Sequence, residues 1–150
     1  MILVDGRSGS GKTELAKQLA HFIEGAQLLR LDDLYPGWDG LDVGSARVPE
    51  ILTTLRWQSW DWALDRPGEW HTLDGTRPII IEGVGAVSRA SRPLADIALW
   101  VEADDATRKY RALARDGETF APYRHTWAAQ ELAFMARENP RALADAIVES

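Results

Sequence analysis

Gly6-Arg7-Ser8-Gly9-Ser10-Gly11-Lys12-Thr13 follows directly on the apolar run Ile2-Leu3-Val4 and fits the Walker A pattern G-x-x-x-x-G-K-[ST]. Glycines at 6, 9 and 11 let the backbone turn tightly and aim several N–H groups inward, a concave nest that matches phosphate oxygens. A helix starting near Lys12 adds its unsatisfied N–H groups and its dipole at the same point. Gly6, Ser8, Gly9, Ser10, Gly11, Lys12 and Thr13 are therefore expected to hold a nucleoside triphosphate by its phosphates. Lys12 suits the β- and γ-phosphates, and the Thr13 hydroxyl suits Mg²⁺. After the loop, Leu15, Leu19, Phe22 and Ile23 recur at helical spacing until Gly25 offers a stop, so the stretch reads as strand, loop, helix.

Working outward, the pattern predicts strands at 1–5, 27–31, 78–82, 96–101 and 144–148. Helices are predicted at 12–24, 49–63, 105–116 and 123–137, with an aromatic- and glycine-rich stretch at 35–48. Strands alternating with helices imply an α/β fold: a three-layer sandwich of the P-loop NTPase type around a mainly parallel five-stranded sheet, with sites at the carboxyl ends of its strands. The chain of 150 residues, 45% hydrophobic and without an internal repeat, reads as one domain over 1–150.

Composition excludes several classes. With no cysteine there is neither a disulfide nor a thiolate metal site, and His21, His71 and His125 are too scattered for a zinc centre. The first residues read as a core strand rather than a secretory leader, and no run approaches a membrane span, so a cytoplasmic protein is expected. A net charge of -6 argues against nucleic-acid or anionic-membrane binding, both of which need a large basic surface. It leaves nucleotide binding open, because local donors and a metal ion neutralise a triphosphate where it sits.

Acids stand at two strand ends. Leu28-Leu29-Arg30-Leu31 runs into Asp32-Asp33-Leu34-Tyr35-Pro36, where a carboxylate can orient an acceptor hydroxyl and take its proton, or can cap the turn toward Pro36. Pro78-Ile79-Ile80-Ile81-Glu82-Gly83 reads as a strand buried on both faces and ending in an acid that either pairs with an arginine or serves the metal. The Walker A loop, Leu31-Asp32-Asp33-Leu34-Tyr35 and Ile79-Ile80-Ile81-Glu82-Gly83 together resemble the uridine kinase and phosphoribulokinase group of P-loop kinases. The string from Asp32 to Leu41, with Trp60-Asp61-Trp62 and Glu69-Trp70-His71, is similar to small actinobacterial ATP-binding proteins described as uridine kinase-like. The resemblance implies ATP with Mg²⁺, Asp32 as catalytic base, Tyr35 as the motif tyrosine, and Glu82 with Thr13 at the metal.

Arg108, Arg111 and Arg115 form one basic stripe on the helix over 105–116, with Arg108 expected on its solvated side. Arg111-Ala112-Leu113-Ala114-Arg115-Asp116 resembles the segment leading into the uridine kinase lid, which implies that Arg115 contacts the transferring phosphoryl. The family's continuation is absent beyond it, so a shorter or different lid is expected, with Arg124 as substitute donor. The acceptor, a small molecule, is expected between Tyr35 and His71, where Trp57, Trp60, Trp62 and Trp70 cluster and Asp39 or Asp61 suits a sugar's hydroxyls. The long β-hairpin with which uridine kinases grip the base is not expected in so short a chain.

Three functions are compatible with these residues. The first is an ATP- and Mg²⁺-dependent kinase acting on a hydroxyl of a small molecule, nucleosides included, with Asp32, Lys12 and Arg115 catalytic. The second is a nucleoside monophosphate or gluconate-type kinase, whose acidic acceptor would need a basic pocket from Arg47, Arg56 or Arg89. The third is a regulatory module that binds nucleotide without transfer. No Asn-Lys-x-Asp guanine signature is present.

Overall fold

The computed structural model describes residues 1–150, except for the side chain of Asp116. Its central sheet holds five parallel strands: β1 (Ile2–Gly6), β2 (Gln27–Arg30), β5 (Ile79–Glu82), β6 (Ile97–Glu102) and β7 (Ala146–Glu149), in the order β2-β5-β1-β6-β7. Side chains alternate across it. Val4, Ile80 and Val101 pack on one face with Ala16 of α1 (Lys12–Phe22). Leu3, Leu29, Ile79 and Ile81 pack on the other against α2 (Leu41–Thr54) and α4 (Arg124–Glu138). Two helical layers around one sheet give the expected sandwich.

Segment 41–72 departs from expectation. The predicted helix over 49–63 lies instead at Leu41–Thr54 and carries Pro49 inside it. A proline there costs roughly 3 kcal/mol, but Leu41, Ser45, Val48, Ile51 and Leu52 lie on one buried face, and their packing outweighs it. Leu55 then turns left-handed (φ 60°) and stops the helix. Residues 56–72, where a helix to 63 and no long hairpin were expected, form a hairpin: β3 (Arg56–Asp61) pairs antiparallel with β4 (Arg66–Thr72), with an irregularity between Gln58 and Trp60. The tryptophans at 57, 60 and 70 favour strand over helix, so local propensity and the hairpin agree.

Beyond β6, Asp104 caps α3 (Asp105–Asp116) by accepting the Thr107 N–H at 2.8 Å. Short turns over 117–123 lead into α4, and a four-residue α5 (Pro140–Leu143) precedes β7. Among the described residues no helix is long and apolar enough to cross a membrane.

Candidate functional site

β2, β5 and β1 are neighbours in one parallel register, with Arg30 beside Glu82 and Glu82 beside Val4. Their carboxyl ends therefore set Asp32, Glu82 and the loop after Gly6 side by side, the sheet edge where α/β folds bind ligands. Glu82 is almost fully buried, and its Oε1 accepts from both Thr13 Oγ1 (3.0 Å) and Arg30 Nε (3.0 Å). Glu82 thus pairs with an arginine, as one reading of the acid expects, and also lies against the loop threonine. Arg30 also reaches Asp32 at 3.4 Å.

The loop itself is tightly supported. Gly9 adopts φ +77°, and a Cβ there would lie 2.0 Å from the Arg108 carbonyl oxygen, so α3 presses on the loop where only glycine fits. Glu131 of α4, 2% exposed, accepts the Ser8 N–H at 2.8 Å and Arg7 Nε at 3.1 Å. Lys12 lies over the loop with Nζ 3.4 Å from the Arg7 carbonyl. The Ser10 hydroxyl is buried with no hydrogen-bond partner among the described residues.

Asp5 supports the loop from inside the sheet. Its carboxylate accepts N–H groups from Gly6 (2.7 Å), Val87 (2.9 Å) and Gly85 (3.2 Å), joining the phosphate loop to the loop after β5. Complete burial nevertheless dominates these bonds and pushes its pKa from 3.8 to about 7. Between those values the native state holds more protons than the unfolded chain, so the contribution to stability is full below pH 3.8 and is lost as pH rises through 7. Denaturant melts of the wild type are expected to lose up to about 4 kcal/mol from this group between pH 4 and pH 8. Asp5→Asn abolishes that part of the pH dependence, and an unchanged profile would rule out the assignment.

A cavity of about 700 Å³ opens beside the loop. Ser8, Lys12, Arg115, Asp32 and Asp33 are its polar lining, and Trp38, Trp62, Tyr123 and Trp127 supply aromatic walls. Trp38 stacks on Tyr123 (4.8 Å, 6° between planes) and meets Trp62 edge-on at 5.3 Å. Trp62 Nε1 donates to the Asp32 carbonyl at 2.8 Å, fixing the hairpin to the acidic turn. Partial desolvation pushes the Asp33 carboxyl above its ordinary range, opposed by Arg30.

Lys12, Asp32 and Arg115 thus line one space, as the sequence reading required of a transfer site. Tyr35 lines it too, but its hydroxyl is committed to the Val84 carbonyl at 2.6 Å, leaving only its ring for a ligand. Asp39 and Asp61 lie outside the cavity lining; Asp39 is exposed, and Asp61 accepts the Leu64 N–H at 3.0 Å in the hairpin turn. Of the four hairpin tryptophans only Trp62 lines this cavity among the described residues. Trp57 stacks on His71 at 4.3 Å, and Arg56 covers Trp70 at 4.9 Å.

The α3 arginines also sort differently. Arg108, expected on the solvated side, is 7% exposed and pairs with Asp105, because α3 lies against the loop rather than standing off it. Arg111 reaches the Ser10 carbonyl at 3.4 Å. Arg124 lines a second cavity of about 220 Å³ with Arg7, Arg108 and Glu131, not the larger one. Asp116, the last residue of the lid-like segment, lies outside the described side chains.

Sequence reading missed Trp38, Trp127, Asp5 and Glu131. The last two had a signal: Asp5 interrupts an apolar strand, and Glu131 shares a helical stripe with Trp127 and Phe134, so each is a polar group where the pattern buries its neighbours.

The five-stranded parallel sheet, the loop after its central strand and the flanking helices together are the fold of the P-loop kinases. No family model matches the chain, and no curated protein does. Solved structures do match. A protein of Bacillus stearothermophilus described as a possible uridine kinase aligns at TM-score 0.64 and 19% identity, over 98% of this chain and 86% of that one. A sugar kinase from a Janibacter species aligns at 0.60 and 18%, over 99% and 83%. Shikimate kinase from Acinetobacter baumannii, solved with shikimate, aligns at 0.58 and 18%, over 99% and 82%. At these identities the likeness is one of fold.

Proposed function

We propose that this chain is an ATP- and Mg²⁺-dependent phosphotransferase that moves the γ-phosphoryl to a hydroxyl of a small, nucleoside-like molecule. One observation carries the reading: the loop lysine, Lys12, and the strand-end acid Asp32 line the same cavity, which is large enough for a second substrate. Transfer needs an acceptor hydroxyl facing the γ-phosphorus, a base for its proton, and positive charge where charge develops. Asp32 takes the proton as the acceptor oxygen bonds to phosphorus and the bond to the β-phosphate oxygen breaks, leaving ADP. Lys12 and Arg115, which line the same cavity, would supply positive charge to the phosphoryl oxygens.

Thr13 Oγ1 and the Glu82 carboxylate, 3.0 Å apart at the loop, offer the hard oxygens that Mg²⁺ prefers, and the ion usually takes only one or two protein groups beside phosphate and water. Bound there, Mg²⁺ would screen the β- and γ-phosphate charge.

The kinase of an acidic acceptor would use the separate cavity of about 170 Å³ that Arg47 and Arg56 line, rather than the one beside the loop. Arg47 pairs with Glu50, Arg56 covers Trp70, and neither these nor Arg89 lines the larger cavity. The regulatory module is separated by measuring ADP release with ATP and Mg²⁺ across a panel of nucleosides and other small hydroxyl compounds. Acceptor-stimulated ADP supports transfer. Tight ATP binding with no stimulation by any acceptor, amines included, sinks it.

A further inference from the structure

The charge around the large cavity is divided. Its two cationic side chains, Lys12 and Arg115, are the ones that the transfer reading assigns to the phosphates. The rest of the lining carries three carboxylates, Asp32, Asp33 and Glu118, among aromatic rings, and no other cation among the described residues. We infer, building on the transfer reading above, that the acceptor is itself positively charged: a small hydroxylated amine, such as an aminonucleoside or an amino sugar.

Three arguments support this. A carboxylate or phosphate on the acceptor would face like charges at close range, which is strongly unfavourable. An ammonium group among Trp38, Trp62 and Tyr123 gains from the negative faces of the rings, more so as water is excluded. Asp33, finally, is exposed in the cavity lining and has no salt bridge among the described residues, whereas Asp32 is paired with Arg30. A carboxylate open to the cavity and without a salt bridge forms a charge-assisted contact with a docking ammonium, which is stronger than its contact with a neutral hydroxyl. The charge is used for recognition and the hydroxyl for chemistry: the hydroxyl oxygen attacks the γ-phosphorus, its proton passes to Asp32, and the ammonium keeps its protons. ATP and the hydroxyl compound become ADP, a phosphate monoester and a proton.

The test uses matched pairs in which an amino group replaces one hydroxyl: glucosamine with glucose, and 3′-amino-3′-deoxyadenosine with adenosine. Calorimetry on the whole chain with Mg²⁺ and a non-hydrolysable ATP analogue gives binding, and ADP release with ATP gives turnover. At least one amine is expected to bind about 10-fold or more tightly than its neutral partner, the effect of roughly one charge-assisted contact. Asp33→Asn is expected to remove that preference. Equal or tighter binding of both neutral members overturns the inference, as does failure of both amines to bind at millimolar concentration, even if neutral acceptors release ADP. Amine preference without ADP release keeps the inference and instead counts against transfer.

Discussion

Asp32→Asn is expected to lower kcat by about 10²- to 10⁴-fold, the range by which a positioned base accelerates proton transfer. The amide has nearly the shape of the carboxylate but cannot take the acceptor proton. Asp32 is 54% exposed and its ion pair with Arg30 is long at 3.4 Å, so the variant is expected to fold with little change in melting temperature. Its carbonyl, which receives the Trp62 indole N–H, is untouched by the change. ATP affinity should therefore persist while acceptor-dependent ADP release collapses. The control is Asp33→Asn, expected to act mainly through the acceptor KM because Asp33 recognises rather than reacts. Steady-state kinetics with both substrates varied separate the two, and undiminished kcat in the Asp32 variant would remove it as the base.

Lys12→Met is expected to cost about 10²- to 10³-fold in kcat, comparable to deleting one preorganised donor at a developing charge, and to weaken ATP binding as well. Methionine keeps the length and apolar stem of this buried side chain, so the loss reports on the ammonium. Arginine is not expected to rescue it. Its planar fork spreads the charge over five N–H groups and does not reproduce a compact ammonium on a flexible stem. ATP titration of the folded variant, followed by single-turnover ADP formation, reads the two effects independently. Wild-type rates in the methionine variant would show that the loop lysine does not stabilise the transferred group.

The fold was legible because the loop, the flanking strand and the apolar helix after it speak with short-range signals. Gly6, Asp32 and Glu82 could be set on one edge before any coordinates, since parallel strands align their carboxyl ends. The acceptor side was not legible in the same way. Trp38 and Tyr123 lie 85 positions apart and meet only through tertiary packing, so the local density of tryptophans at 57–70 drew attention to a segment of which only Trp62 lines the cavity. The helix expected over 49–63 lies at Leu41–Thr54 because the burial of Leu41, Ser45, Val48, Ile51 and Leu52, which carries it through Pro49, is not visible in sequence. Arg108 was misread for the converse reason: a stripe of arginines looks solvated until the loop against which it packs is known.

Glu131 gives the phosphate loop one further property. A chain of glycines and serines is soft, and a soft site must surrender conformational entropy when ligand arrives. Here the Ser8 N–H and the Arg7 side chain are already tied to a buried carboxylate on a helix distant in sequence. The ordering that a triphosphate would otherwise have to impose is carried by folding instead, so the loop meets its ligand as a rigid mould rather than a flexible ribbon.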